Sequence, residues 1–232
     1  MLKIINDVKN DDFEKYEHLY LGKAKSNDEE SIIKLSWIES AIDAHKKLGI
    51  DLKGKKQIGY DVADSGGDTC AVVLSHGIVA RASKEWNASS DELEKSAYSV
   101  FGMAIKNDCC IVYDSVGVGA SCGSMFKSMN ERKKKKIKYD KFNAGEKVQK
   151  PKSYYQDQIK NKDMFSNLKA QYWWKISDRF RNTHNAIKNG KKYEEEELIS
   201  IDSSFQNLEK LKEELSIVKK DIDSMGRVMV GS

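Results

Sequence analysis

The run CCIVYD, ending at Asp114, is apolar at nearly every position until its final aspartate. A strand apolar on both faces belongs in the interior of a sheet beside parallel neighbours, where helices cover both sides. The segment ahead of it, SSDELEKSAYSVFGMAIKND, repeats Leu93, Ala97, Phe101 and Ala104 along one helical face and opens on a Ser-x-x-Glu capping box, Ser89 to Glu92. An amphipathic helix leading into a buried strand is the crossover that a parallel pairing requires, and such crossovers are right-handed. The strand it returns to is QIGYDV, which carries Asp61 at its end. Asp61 and Asp114 are therefore expected side by side at one end of a sheet.

Three short apolar runs, QIGYDV, TCAVVL and GIVARAS, are joined by Gly66-Gly67-Asp68 and by Ser75-His76-Gly77. Both joints have turn chemistry, so an antiparallel three-strand meander is expected. Upstream, ESIIKLSWIESAIDAHKKLG spaces Ile33, Trp37, Ile38, Ala41, Ile42 and Ala44 as one helix closed by Gly49. Residues 1 to about 30 are polar and acidic with scattered aromatics, a lead-in that needs another surface to lie on. Downstream, KKKKIKYDKFNAG contains a fifth strand, and EKVQKPKSYYQDQIKNKD reads as a polar loop holding the only proline, Pro151. A long helix is expected from about Met164 to Lys188, then a strand in EELISI, a helix in SFQNLEKLKEELS and a final hairpin. The fold class is α/β, a mixed sheet of a meander plus parallel strands, flanked by helices.

Lysine and arginine total 40 against 36 acidic residues, and a net charge of +4 is too mild to establish a nucleic-acid partner. Cys70, Cys109, Cys110 and Cys122 lack CxxC spacing, which disfavours zinc and fits a reduced, cytoplasmic setting. No targeting segment and no run of about 20 apolar residues is present, so a soluble protein is expected.

Neighbouring strands lie about 4.8 Å apart, so two terminal aspartates repel each other unless a cation stands between them. All-oxygen ligands favour Mg2+ or Mn2+. Two such ions about 3.5–4 Å apart clamp an in-line phosphoryl displacement, and phosphodiester hydrolysis is a natural use of them. Asp64 and Asp68, in the turn after the first strand, either accept hydrogen bonds from metal-bound water or only shape that turn. The run RKKKKIK holds Arg132, Lys133, Lys134, Lys135, Lys136 and Lys138. It suits either sequence-independent contact with DNA phosphates or the guarding of an edge strand. Tyr172, Trp173 and Trp174 fall in a helical apolar pattern and read as packing residues rather than base-stacking platforms. The four histidines show no ligand spacing, and Gly117 and Gly119 read as glycines for a tight turn beside Asp114.

Taken together, IGYDVADSGGDTCAVVL, VYDSVGVGA and the stretch from FNAGE to FSNLKAQYWWKISDRF resemble the nuclease domain of the large terminase subunit of tailed bacteriophages. The segment YEHLYLGKAKSNDEESIIKLSWIESAIDAHKKLG is similar to that family's link between ATPase motor and nuclease. The resemblance implies a ribonuclease H-like fold in residues 51–232, preceded by a linker segment and helix in 1–50. It implies a metal-dependent endonuclease that cuts concatemeric phage DNA during packaging, with two divalent ions held by three acids. Asp61 and Asp114 match the acids at the ends of the first and fourth strands, with Asp64 and Asp68 reaching metal through water. Implied partners are double-stranded DNA and, in the complete family protein, an ATPase motor domain, a small terminase subunit and a portal protein, in the host cytoplasm and without a membrane. The family's third acid follows a segment like GRVMVGS, where this sequence stops. Asp221 and Asp223 come too early to replace it, so weak or no metal-dependent cleavage is expected. Two other readings are a non-catalytic DNA- or portal-binding assembly domain and an actin- or sugar-kinase-like phosphotransferase.

Overall fold

The computed structural model describes residues 31–63, 69–87, 93–156 and 158–231. The lead-in over 1–30, the capping box at Ser89 and Glu92, and the turn bearing Asp64 and Asp68 lie outside these residues. Six strands form the main sheet: β1 (Lys56–Asp61), β2 (Thr69–His76), β3 (Val79–Asn87), β4 (Cys110–Asp114), β5 (Tyr139–Phe142) and β8 (Ser200–Ile201), in the order β5-β4-β1-β2-β3-β8. β1, β2 and β3 are the expected antiparallel meander. β4 runs parallel to β1 and β5 parallel to β4, with helix α3 (Leu93–Asn107) as the crossover.

One sheet face carries α3 and α4 (Cys122–Glu131). The repeat read from the sequence is the buried stripe of α3: Ala97, Phe101 and Ala104 pack with Phe126 of α4 over Ile58, Tyr60, Ile111 and Tyr113. Phe126 is fully buried and has ring contacts with Phe101 at 6.3 Å, Tyr113 at 5.5 Å and Tyr139 at 5.6 Å. Removing such a ring costs about 3–5 kcal/mol.

A second core forms around α1 (Leu35–Ala41), α6 (Leu168–Asn189), β8, α7 (Leu208–Ile217) and the hairpin β9 (Lys220–Ile222) and β10 (Val228–Val230). Ile33, Ile38, Phe165, Phe180 and Ile201 are among its buried members. Trp173 and Trp174 are partly buried against it, as packing residues should be.

Three local expectations need correction. The helix read through to Gly49 breaks into α1 and α2 (Ala44–Leu48). Ile42 leaves the helix to bridge Ile201, and Asp43 takes a left-handed turn with its N–H bonded to the Ile201 carbonyl at 2.8 Å. A tertiary strand contact thus overrides helical periodicity. The long downstream helix also splits, into α5 (Asn161–Met164) and α6, because Phe165 bridges Val228 and Asn167 caps α6 by accepting from the Ala170 N–H. Finally, the polar loop contains a small hairpin, β6 (Tyr154–Gln156) and β7 (Ile159–Lys160), anchored by an edge-on contact of Tyr155 with Phe165 at 5.0 Å.

Candidate metal centre

The register of β1 and β4 builds the site. Tyr60 pairs with Tyr113, and both rings turn into the core beneath α3 and α4. Side chains alternate along a strand, so the next residues, Asp61 and Asp114, point to the opposite face at the same level. Phe142 of β5 pairs with Asp114 and extends the row by one strand. On the other flank Asp61 faces Ala71, whose small side chain leaves the row open.

The segment after Asp114 folds back on it. Ser115 donates from its N–H and its hydroxyl to the Phe142 carbonyl, at 2.9 and 3.0 Å, and the Val116 N–H donates to Asp114 Oδ1 at 2.9 Å. A short 3-10 helix, Gly117–Ser121, then turns across the strand end. At Gly119 a Cβ atom would stand 2.0 Å from the Asp114 carbonyl oxygen, so only glycine fits. Across the cleft, the Ala63 N–H is 3.4 Å from the Cys70 sulfur, and the thiol lies 3.7 Å from the Ala63 carbonyl. These segments enclose a cleft of about 510 Å³ lined by Asp61, Val62, Ala63, Thr69, Asp114 and the start of the glycine turn.

Asp61 reaches water through the cleft mouth, yet surrounding protein and, secondarily, the Asp114 charge raise its pKa above the usual carboxylate value. Among the described residues neither aspartate forms an ion pair. Two close carboxylates with no compensating cation, both offering oxygen, are a donor set suited to Mg2+ or Mn2+.

The other candidates lie elsewhere. Arg132–Lys136 and Lys138 are exposed ahead of β5, on either side of buried Ile137, with Lys138 bonded through its carbonyl to Ile111, at the start of β4. They are therefore at the opposite end of the strands from Asp114, at least about 10 Å away at 3.3 Å per residue. Lys135 pairs with Asp108 at 2.6 Å, and Lys136 donates to the Asn130 carbonyl. Asp221 is exposed in β9, and Asp223 is held by Arg227.

One cluster went unread in the sequence. The ligand atoms of Asp43, His45 and Asp202 lie within 4.8 Å of one another, brought together by the break in α1–α2. Nothing in local spacing signals it, because Asp202 comes from a distant strand end. It sits three strands from β1 and beside the opposite end of the sheet. Lys46 stands 2.8 Å from Asp43 Oδ1 and 3.8 Å from Asp202 Oδ2, the Ser203 N–H donates to the same Asp43 Oδ1, and the Ser204 N–H and hydroxyl donate to Asp202 Oδ1. These contacts fasten α2 to the end of β8.

No family model and no curated protein sequence matches the chain. Solved structures do. The chain is similar to the nuclease domain of the large terminase subunit gp2 of bacterial virus Sf6, at 28% identity and a TM-score of 0.79, over 87% of this chain and 88% of that one. A mutant of that domain solved with manganese and beta-thujaplicinol matches at 27% identity and a TM-score of 0.79, with the same coverage. The large terminase nuclease from thermophilic phage G20c with bound magnesium shares the fold at 11% identity and a TM-score of 0.51, over 88% of each chain.

Proposed function

We infer that this chain acts as the nuclease domain of a large terminase subunit, an endonuclease that cuts concatemeric duplex DNA during genome packaging with divalent metal held by Asp61 and Asp114. The observation that carries the reading is the pairing of those aspartates at one level of two adjacent parallel strands, in a chain similar throughout to terminase nuclease domains. Two ions bound there would supply an activated water and a counter-charge for the leaving oxygen. The chain's own residues fix the ligands. The Val116 N–H orients the Asp114 carboxylate, Gly119 lets the turn close on that strand end, and Cys70 tethers the chain just beyond Asp61. Asp64 and Asp68 would add hydrogen bonds to bound water. In a packaging machine the domain would act with an ATPase motor, a small terminase subunit and a portal.

The Arg132–Lys138 loop would meet the duplex away from the reacting phosphate, adding affinity without placing the scissile bond. Supercoiled plasmid incubated with the chain and Mn2+ tests the reading. Nicking, however slow, should vanish with EDTA and in Asp61→Asn. Nicking that persists in Asp61→Asn at the wild-type rate overturns it.

A further inference from the structure

A second group of charges stands on the cleft side of the molecule and takes no part in the metal centre. It lies where Phe142, the neighbour of Asp114, meets α6. The Tyr172 ring packs edge-on against Phe142 with centroids 5.3 Å apart, and it is 40% exposed. Lys175, one helical turn on, carries its ammonium 5.4 Å from that ring centre. The Lys150 charge is close enough, after burial, to lower the Lys175 pKa. Among the described residues neither lysine has a carboxylate partner.

Two like charges repel, so how near they are brought depends on the backbone that carries them. Here the backbone is pinned by buried amides. Gln171, fully buried, accepts from the Gln149 N–H at 2.7 Å and donates to the Gln149 carbonyl at 3.1 Å. Buried Asn161 donates to the carbonyls of Gln149 and Lys150, at 3.1 and 3.0 Å. Lys150 is thereby fixed in a left-handed conformation, φ 47°, that lysine rarely adopts. The Tyr172 hydroxyl closes the unit by donating to the Gln149 side chain at 3.0 Å.

We propose that Lys150 and Lys175, steadied by Tyr172, form a phosphate clamp that grips the duplex backbone beside the Asp61–Asp114 cleft. The proposal rests on the nuclease reading for its partner. Duplex DNA is the occupant that fits, because neighbouring backbone phosphates match two exposed ammonium groups that have no carboxylate partner among the described residues, and because the row from Phe142 to Asp61 leads from the clamp to the carboxylates. The clamp lies at the carboxylate end of β4 and β5, beside Phe142, whereas the Arg132–Lys138 loop leads into β5 at the other end.

The test is fluorescence anisotropy of a labelled duplex titrated with the full chain in Ca2+, over 50–200 mM salt. Wild type is compared with Lys150→Ala/Lys175→Ala, with Lys175→Ala and with Lys175→Glu. Each lost phosphate contact removes about 0.9 from the slope of log affinity against log salt, so the double variant should lose about 2 from the slope, and the wild-type advantage should grow about tenfold between 200 and 50 mM salt. Lys175→Glu should be weaker than Lys175→Ala. A slope and affinity equal to wild type, or a wild-type chain that does not bind duplex, overturns the clamp. A parallel Mn2+ titration of wild type reads the metal centre separately. No Mn2+ uptake together with the slope change would refute the nuclease reading while leaving the clamp supported.

Discussion

Asp61 and Asp114 stand at one level of neighbouring parallel strands, each one residue past a buried tyrosine of the pair Tyr60–Tyr113. The two carboxylates share a cleft because the strands' alternation is fixed by the core on the opposite face. A one-residue register slip would send one of them into that core.

The first consequence is electrostatic. A carboxyl whose pKa is raised in the folded state binds protons more tightly there than in the unfolded chain, so stability falls as pH climbs through the folded value. Asp61, raised by burial and then by Asp114, destabilises the metal-free protein at neutral pH. Asp61→Asn should therefore raise the melting temperature in EDTA at pH 7 and leave it nearly unchanged at pH 3. Mn2+ should reverse the order, stabilising wild type but not the variant, as read by differential scanning calorimetry.

Gly119 tests the turn behind Asp114. A Cβ there meets the Asp114 carbonyl oxygen at 2.0 Å, backbone that cannot rotate aside. Gly119→Ala should cost about 1–3 kcal/mol in urea denaturation and weaken Mn2+ binding, since the shift falls on the ligand's own residue. Gly117, at φ 58° with open space around it, should cost only about 1–2 kcal/mol as alanine.

The Asp43 cluster sets the acid limit of the second core. Burial opposes ionisation of Asp43, but the Lys46 hydrogen bond and those from Ser203 outweigh it and bring its pKa down to about 2. A lowered carboxylate contributes stability above the unfolded value near 3.8 that disappears as pH falls toward 2. Asp43→Asn should flatten the stability profile between pH 4 and 2, by up to about 1 kcal/mol after solvent screening. It should leave Mn2+ uptake at the cleft unaltered, which separates this cluster from the metal centre.

The basic loop yields a kinetic split. Replacing Lys133–Lys136 with alanine should reduce the salt slope of duplex binding and raise KM in plasmid nicking while leaving kcat within about twofold, because uniform binding far from the reacting bond does not act on the transition state. A large fall in kcat would bring the loop into the catalytic cleft.

Much of this is legible in the amino-acid sequence. The apolar strand ending at Asp114, the crossover helix and the meander fix the sheet order around the aspartates, because strand burial and parallel connections leave few topologies. The glycines after Asp114 likewise form the tight turn expected of them, Gly119 through its close approach to the Asp114 carbonyl and Gly117 through its left-handed φ. What stayed hidden depends on residues far apart in sequence. Ile201 pulls Ile42 out of its helix, Val228 interrupts the chain at Phe165, and the clamp joins Lys150 to Lys175 through two buried amides. Local periodicity carries no record of such partners. The sequence also draws attention to six basic residues in seven positions, Arg132 to Lys138, although the structure sets them at the far end of the strands from the carboxylates.

Isothermal titration with Mn2+ is the most direct test of the carboxylate pair. Wild type should take up Mn2+, with affinity falling as pH drops through the raised Asp61 value. Tight binding at two sites would mark a complete catalytic centre, and one weak site an incomplete one. Asp61→Asn and Asp114→Asn should each abolish or severely weaken that uptake. No Mn2+ uptake by wild type, or uptake undiminished in both variants, would contradict a metal centre at these aspartates and leave the fold serving assembly rather than cleavage.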